Sequence, residues 1–270
     1  MLRLYHASPS VAPVMVRLVL HEKGLPWESK ILDLLRGDQF QPEYRKINPK
    51  AVVPTLVHDA HTITESRLII EYIEEAFPSP ALMPADPYRK AVARLWMKKI
   101  DDYLHDAVAV LSFAIAFRRK LLKKTPEQIE ARFAAIPDPV MREHQRKAAL
   151  EGIEAPHVAT ALRNYDKYIG EMEETLALSS YLAGDDYSLA DAAATAYLNR
   201  AAMLAMDCLW LNNRPRVTNW FERIRQRPSF QDAITKYLSD VDREVFNFPR
   251  EETSQKIREI FASARAVQAA

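Results

Sequence analysis

Residues 48–77 read NPKAVVPTLVHDAHTITESRLIIEYIEEAF, and this stretch decides the fold. Val53-Pro54 is a candidate cis bond, because only X-Pro bonds populate cis at modest cost. A cis bond there would turn the N–H and C=O of Val53 outward, toward a peptide lying alongside. Thr55-Val57 and Thr62-Ile63 flank His58-Asp59-Ala60-His61, a hairpin signal. Glu65 and Ser66 then open an apolar-periodic helix that Pro78 stops. Free N–H groups and the macrodipole at such a helix start hold a carboxylate. Together these parts make a site for a small acidic peptide.

Working outward, Leu2-Tyr5 reads as a strand, and Val11-Gly24 as a helix closed by a natural C′ glycine. Trp27-Leu34 is a second strand and Gln41-Ile47 a short helix. The order βαβ-α-ββα is the thioredoxin-like arrangement, which says little by itself about chemistry. We therefore expect an α/β thioredoxin-like N-terminal domain over 1–78 and a proline-rich linker over 79–87. An all-α helical domain follows over 88–240, with an insert at 117–156 and a C-terminal extension over 241–270. In it Tyr88-Lys120 reads as one long helix. Pro156-Leu178, Ser188-Met206, Pro215-Gln226 and Pro228-Leu238 read as further helices. Ser188-Leu189-Ala190-Asp191 matches a capping box, with the Ser188 side chain accepting from the Asp191 N–H.

Bulk composition narrows the function classes. A formal charge of +1 gives no reason to expect nucleic acid or an anionic membrane as partner. Only 5 glycines are present, and no glycine-rich phosphate loop. The single cysteine, Cys208, forms no internal disulfide and sits in the apolar run MLAMDCLWL, where a buried inert thiol is expected. The N-terminus lacks a signal-peptide pattern, and no run approaches ~18 apolar residues. A cytoplasmic protein is expected.

Four segments resemble the glutathione transferase family in order and spacing. LYHASPSVAPVMVRLVLHEKGL resembles its first strand and helix, and INPKAVVPTL its cis-proline loop. TESRLIIEYIEE resembles its third helix, and YLAGDDYSLADAA its sixth. The long 117–156 segment and the extended tail depart from the common pattern. With the LMPADPYRKA linker they look like the bacterial branch that includes lignin β-etherases.

The resemblance implies that glutathione is a cosubstrate and that its thiol must be ionised near neutral pH. A free thiol has a pKa of ~8.5, so a donor must favour the anion. Ser10 takes the place of the catalytic serine in serine-type members, with Ser8 as the alternative. Position 12 is alanine and position 13 proline, against a cysteine-type member. The bland alternative is that Ser8-Pro9-Ser10 is turn chemistry before a helix. By the same resemblance, Val53 ahead of Pro54 pairs with the cysteinyl backbone. Glu65 takes the γ-glutamyl ammonium, and Ser66 its carboxylate. Lys50 or Gln39 reaches the glycyl carboxylate. An apolar electrophile pocket between the domains is expected from Val11, Ala12, Tyr103, Ala107, Val110, Leu111 and Trp210.

Other features read as bland. His58 and His61 flank a hairpin and are expected to face solvent, with no metal site. The run Arg118-Lys124 reads as a solvated helix end. A homodimer with contacts from Arg67, Glu71, Tyr72 and Arg94 is expected. Three functions compete: glutathione transfer to an apolar, aromatic electrophile in detoxification, glutathione-dependent β-aryl ether cleavage, and non-catalytic ligand binding.

Overall fold

The structure, a computed structural model, describes residues 1–268, with side chains through residue 263. The chain divides into two units. The first comprises residues 1–97, 179–196 and 221–242, and the second residues 98–178, 197–220 and 243–270. The first unit thus recruits two segments of the helical half of the sequence.

The first unit is built on a four-stranded sheet in the order β2-β1-β3-β4. Strand β1 (Leu2–His6) pairs in parallel with β2 (Trp27–Ile31) and antiparallel with β3 (Thr55–His58). Strand β4 (His61–Thr64) pairs antiparallel with β3, placing Leu56 opposite Ile63. Parallel neighbours need a crossover, and α1 (Val11–Glu22) supplies it. Every residue from Val11 to Leu20 is buried, so α1 is enclosed on all sides, as its nearly all-apolar composition requires. Pro13 is tolerated because the first helical turn needs no N–H donors. Helix α2 (Pro42–Ile47) precedes the loop to β3, and α3 (Ser66–Ala76) buries Ile69, Ile70 and Ile73. Val53-Pro54 is cis, as the sequence suggests, and so is Ser79-Pro80 in the connector.

Buried ion pairs fasten the helices of this unit. Lys23 is fully buried, 2.6 Å from Glu74, and donates to the carbonyls of Phe77 and Pro80 at 2.7 Å. Glu22 receives Arg227 through two bonds of 2.7 Å. Asp191 anchors the start of α10 (Leu189–Met203). Its carboxylate accepts from Ser188 N–H at 3.1 Å, Leu182 N–H at 3.1 Å and Ser188 Oγ at 2.8 Å. The capping box therefore differs from the expected one in one bond. The Ser188 hydroxyl donates to the carboxylate, a charged acceptor, and the Asp191 N–H donates to the Ser188 carbonyl at 3.0 Å instead of to the hydroxyl.

The expected single helix Tyr88-Lys120 is broken into pieces. It starts at Pro87 as α4 (Pro87–Lys99), passes through a π-helical stretch Ile100–Leu104 and continues as α5 (His105–Ser112). A second π stretch, Phe113–Phe117, leads into α6 (Arg118–Leu121). Each extra residue of a π turn rotates the apolar stripe by about 100°, which a fixed 3.6-residue period cannot register. In the second unit, α7 (Pro126–Ala134) and α8 (Pro139–Glu151) form the insert. Helix α8 packs on α5 and on the Phe113–Phe117 stretch, and Ile129, Phe133 and Ile136 are buried. Helix α9 (Pro156–Thr175) packs along α5 and buries Tyr165, Tyr168 and Met172. The chain continues through α11 (Pro215–Arg225), α12 (Pro228–Ala233), α13 (Asp240–Val245) and α14 (Arg250–Gln268).

Asp191→Ala removes a buried carboxylate with three donors and leaves two backbone N–H groups unsatisfied. We expect a loss of about 2–3 kcal/mol of unfolding free energy, and a smaller loss for Asp191→Asn, measured by urea denaturation. A change below about 0.5 kcal/mol would show that water replaces the carboxylate.

Candidate active site

The loop between α2 and β3 is braced by a buried polar cluster. The Tyr44 hydroxyl donates to the Val52 carbonyl at 2.6 Å and stands 2.9 Å from Thr55 Oγ1. Asn48 Nδ2 donates to the same carbonyl and the same Oγ1, both at 3.0 Å. These three side chains hold the backbone on either side of Val53 and Pro54. Sequence reasoning assigned them no role. The quoted segment INPKAVVPTL contained Asn48 and Thr55, but only the fold shows that Tyr44 reaches the same carbonyl.

At the far end of the hairpin, Glu65 has φ 65°, ψ 111° and precedes Ser66, the first residue of α3. A non-glycine residue at positive φ is uncommon and persists only when its surroundings fix it. Lys50 Nζ lies 2.6 Å from Glu65 Oε1, and this hydrogen bond raises the lysine pKa. Both side chains are more than half exposed, so a ligand ammonium can exchange with Lys50. Gln39 is almost fully buried, with Nε2 3.5 Å from the Leu34 carbonyl and Oε1 without a partner.

Two serines occupy the turn from β1 to α1, in different settings. The Ser10 N–H donates to Ala7 O at 3.3 Å, and its side chain makes no capping bond to α1. The Ser8 hydroxyl instead contacts the Tyr237 carbonyl and lies 2.8 Å from Asp242 Oδ2. Ser8, Ser10, Gln39, Lys50, Val53, Pro54, Glu65 and Ser66 all belong to the first unit.

Next to the turn, His6 is fully buried, and its imidazole is pushed down to about 3 by burial first and by Arg17 second. Arg17 Nη1 faces His6 Nδ1 at 3.1 Å. A guanidinium has only protons to offer, so Nδ1 accepts, and the imidazole proton sits on Nε2, donating to Ser29 Oγ at 2.7 Å.

Tyr103, Ala107, Val110 and Leu111 belong to the second unit. Ala107, Val110 and Leu111 are buried, and Tyr103 is half-buried, with Lys167 Nζ 4.4 Å from its ring centroid. Trp210 is also fully buried. Between α5 and α8 runs a shallow cleft lined by His105, Asp106, Val110, Met141, His144 and Gln145. The Tyr197 phenol, whose ionisation burial suppresses, stands 3.1 Å from His105 Nδ1. His144 and His157 meet in a tilted arrangement with ring centroids 4.2 Å apart.

Some expectations are corrected. His58 does not face solvent, because its ring packs on Phe77 and its Nδ1 meets the Tyr72 hydroxyl at 2.6 Å. Cys208 is half-buried rather than buried, although burial does raise its thiol pKa. Apart from these corrections, Arg94 bonds Glu71 at 2.9 Å and the Tyr72 hydroxyl meets His58 within the chain. Among the described residues no group of three His, Cys, Asp or Glu side chains could hold a metal ion. None of the described helices is long and apolar enough to cross a membrane.

Comparison with known proteins agrees with this arrangement. Residues 10–76 match the family model for the glutathione S-transferase N-terminal domain, and residues 120–228 the model for its C-terminal domain. Protein LigF of Sphingobium sp. (strain NBRC 103272 / SYK-6) is 31% identical over 241 residues, which is 87% of this chain and 93% of LigF. A tetrachloro-p-hydroquinone reductive dehalogenase of Sphingobium chlorophenolicum is also 31% identical, over 85% of this chain and 94% of its own. The crystal structure of the β-etherase LigF superposes with a TM-score of 0.79 at 30% identity, covering 87% of this chain and 99% of that one. Glutathione transferase F7 of Populus trichocarpa superposes with a TM-score of 0.68 at 26% identity, covering 92% and 100%.

The His6 environment predicts an acid limb of stability. An unfolded histidine titrates near 6.5. Between about 6.5 and about 3, the unfolded chain binds a proton that the folded chain refuses. Stability from this group is complete above 6.5 and falls with acid through that window, by up to about 1.4 kcal/mol per pH unit. In urea titrations at a series of pH values, His6→Gln should flatten this slope. An unaltered slope would place the acid sensitivity elsewhere.

Proposed function

The chain belongs to the glutathione S-transferase family and is a glutathione-dependent transferase, and from that premise we propose that Ser10 ionises the glutathione thiol for attack on an aromatic β-aryl ether. Free thiols are only a few per cent ionised at neutral pH. The Ser10 hydroxyl, uncommitted to capping its own helix, donates to the sulfur and favours the anion. Ser8 is the poorer donor, since the Tyr237 carbonyl and Asp242 already take its proton.

The remaining groups suit the tripeptide. The γ-glutamyl ammonium displaces Lys50 from Glu65, and the Ser66 hydroxyl and N–H receive the adjoining carboxylate at the α3 start. Val53, held beside Pro54, pairs with the cysteinyl backbone. Lys50, once released, faces the glycyl carboxylate, and Gln39 is the alternative. In the transfer step the sulfur electron pair forms a C–S bond at the ether carbon. The C–O bond breaks with its pair, and the phenolate takes a proton from water. No oxidant or reductant is consumed.

One observation carries the choice of an ether: the match to the β-etherase LigF over nearly all of that structure. Within the second unit, helix α8 lies against α5, where Val110 and Met141 form an apolar wall and His105 a polar edge. We further propose a cytoplasmic homodimer acting in detoxification, with Arg67, Glu71, Tyr72 and Arg94 at its interface together with the exposed Leu68 and Leu95 of α3 and α4. Two-fold pairs are the commonest oligomers, and a monomeric mass by light scattering at micromolar concentration would reject this one.

Calorimetry should show glutathione binding that weakens about tenfold to a hundredfold in Glu65→Ala. In Ser10→Ala we expect kcat to fall about tenfold or more, with glutathione affinity within about twofold of wild type. Assayed against β-aryl ethers, aryl halides, epoxides and chlorinated hydroquinones, the enzyme should release phenol from the ethers. Turnover of the other electrophiles without ether cleavage would remove the ether assignment and leave the transferase.

A further inference from the structure

The turn that carries Ser10 rests on a buried cation that the scheme above leaves unused. Arg17 sits two turns into α1 with no exposed surface. Its Nε donates to Ala233 O at 2.7 Å, Nη1 to Ala7 O at 3.2 Å, and Nη2 to Ser8 O at 3.3 Å. Ala7 O is also the acceptor of the Ser10 N–H. The guanidinium carbon lies 4.6 Å from the centroid of the Tyr237 ring. Every oxygen that it contacts is a neutral carbonyl. Burial lowers its pKa only to about 10, so it stays charged at neutral pH.

A negative charge reaches the same turn from the other end of the chain. Asp242 is 7% exposed and accepts from Ser8 Oγ, from Ser239 N–H at 3.0 Å and from Ser239 Oγ at 2.7 Å. It acts on Arg17 through space rather than by contact. The stretch Ala7–Ser10 is therefore held by a cation at two of its carbonyls and by a carboxylate at the Ser8 hydroxyl. Both charges lie in a low-dielectric surrounding, where a field is screened far less than in water.

We propose that Arg17 is a positioning residue of the reaction, which holds the Ser10 turn and favours the thiolate presented there through its charge, and that Asp242 tempers that charge. This rests on the reading of Ser10 as the thiol donor. It makes the segment from Tyr237 to Asp242 part of the active site, although some 230 residues separate Asp242 from Ser8.

The two charges make opposite demands, which a purely structural role would not. Ultraviolet titration of the thiolate in the glutathione complex reads the thiol directly. Removing the cation in Arg17→Met should raise the apparent thiol pKa by about one unit and lower neutral-pH kcat about tenfold, with KM for glutathione within about twofold. Arg17→Lys should restore much of that shift, since it returns the charge without the fork. Asp242→Asn keeps an oxygen for Ser8 but removes the charge, so the thiol pKa should fall. If Arg17→Met does not fold, as circular dichroism reports, Asp242→Asn decides alone: an unchanged or raised thiol pKa overturns the proposal. Folded variants that both titrate like wild type, or both shift upward, also overturn it. Ser10→Ala separates the two readings. A shift in Ser10→Ala alone removes only the role of Arg17 and Asp242. Shifts in the charge variants with none in Ser10→Ala remove the serine assignment and leave the charge effect. Absence of glutathione binding removes both.

Discussion

Enclosure of α1 is the constraint from which the rest of the first unit follows. A helix buried from Val11 to Leu20 must be covered on every side. The sheet cannot do this alone, so α3 and α12 pack on it as well. That requirement explains why residues 221–242 join a unit whose sheet ends at Thr64. It also explains the buried ion pairs. Glu22 with Arg227 and Lys23 with Glu74 lie at the end of α1, where covering segments converge and water is expelled. A buried pair of this kind stabilises little by itself, but breaking one partner is costly, so it fixes which segments meet.

The same enclosure brings polar groups to the N-terminal end of α1. Arg17 is the one charged residue in the buried run, and it meets carbonyls at the turn and at the end of α12. The turn that carries Ser8 and Ser10 is thus supported by the core, not by its own sequence alone. The loop around Val53 and Pro54 has a parallel design. Tyr44, Asn48 and Thr55 share one carbonyl and one hydroxyl, which makes a compact network with each member satisfied. Both turns are fixed by buried hydrogen bonds, the kind of rigid support that holding a small ligand in place requires.

The second unit shows how insertions acquire a role. Helices α7 and α8 carry too few apolar side chains to fold by themselves. Ile129 and Phe133 of α7 and Ile136 in the link to α8 are buried, with Phe133 against Phe113, while Val140 and Leu150 stay exposed. Helix α8 lies along α5 beside a π stretch, a feature common near functional sites. The cleft beside it combines apolar walls with two imidazoles, a surface suited to an aryl group with a polar substituent.

Local sequence determined much of this protein. The Val53-Pro54 pair, the hairpin signal and the Glu65-Ser66 helix start follow from short-range stereochemistry, and the existence of most strands and helices follows from periodicity. The cis bond at Val53-Pro54 and the Ser188-Asp191 pair were legible for the same reason, since each depends on residues within three positions of one another. Tertiary structure alone decided the rest. The commitment of Ser8 to Asp242, the meeting of Arg17 with Ala233 and the covering of α1 by α12 join residues more than 200 positions apart. No pattern along the chain encodes such pairs, because they arise only when burial forces distant polar groups to satisfy one another. The π stretches escaped the periodic reading because one added residue rotates the face that the period tracks. His58 escaped it because a hairpin predicts exposure, and only packing against Tyr72 and Phe77 withdraws the ring from water.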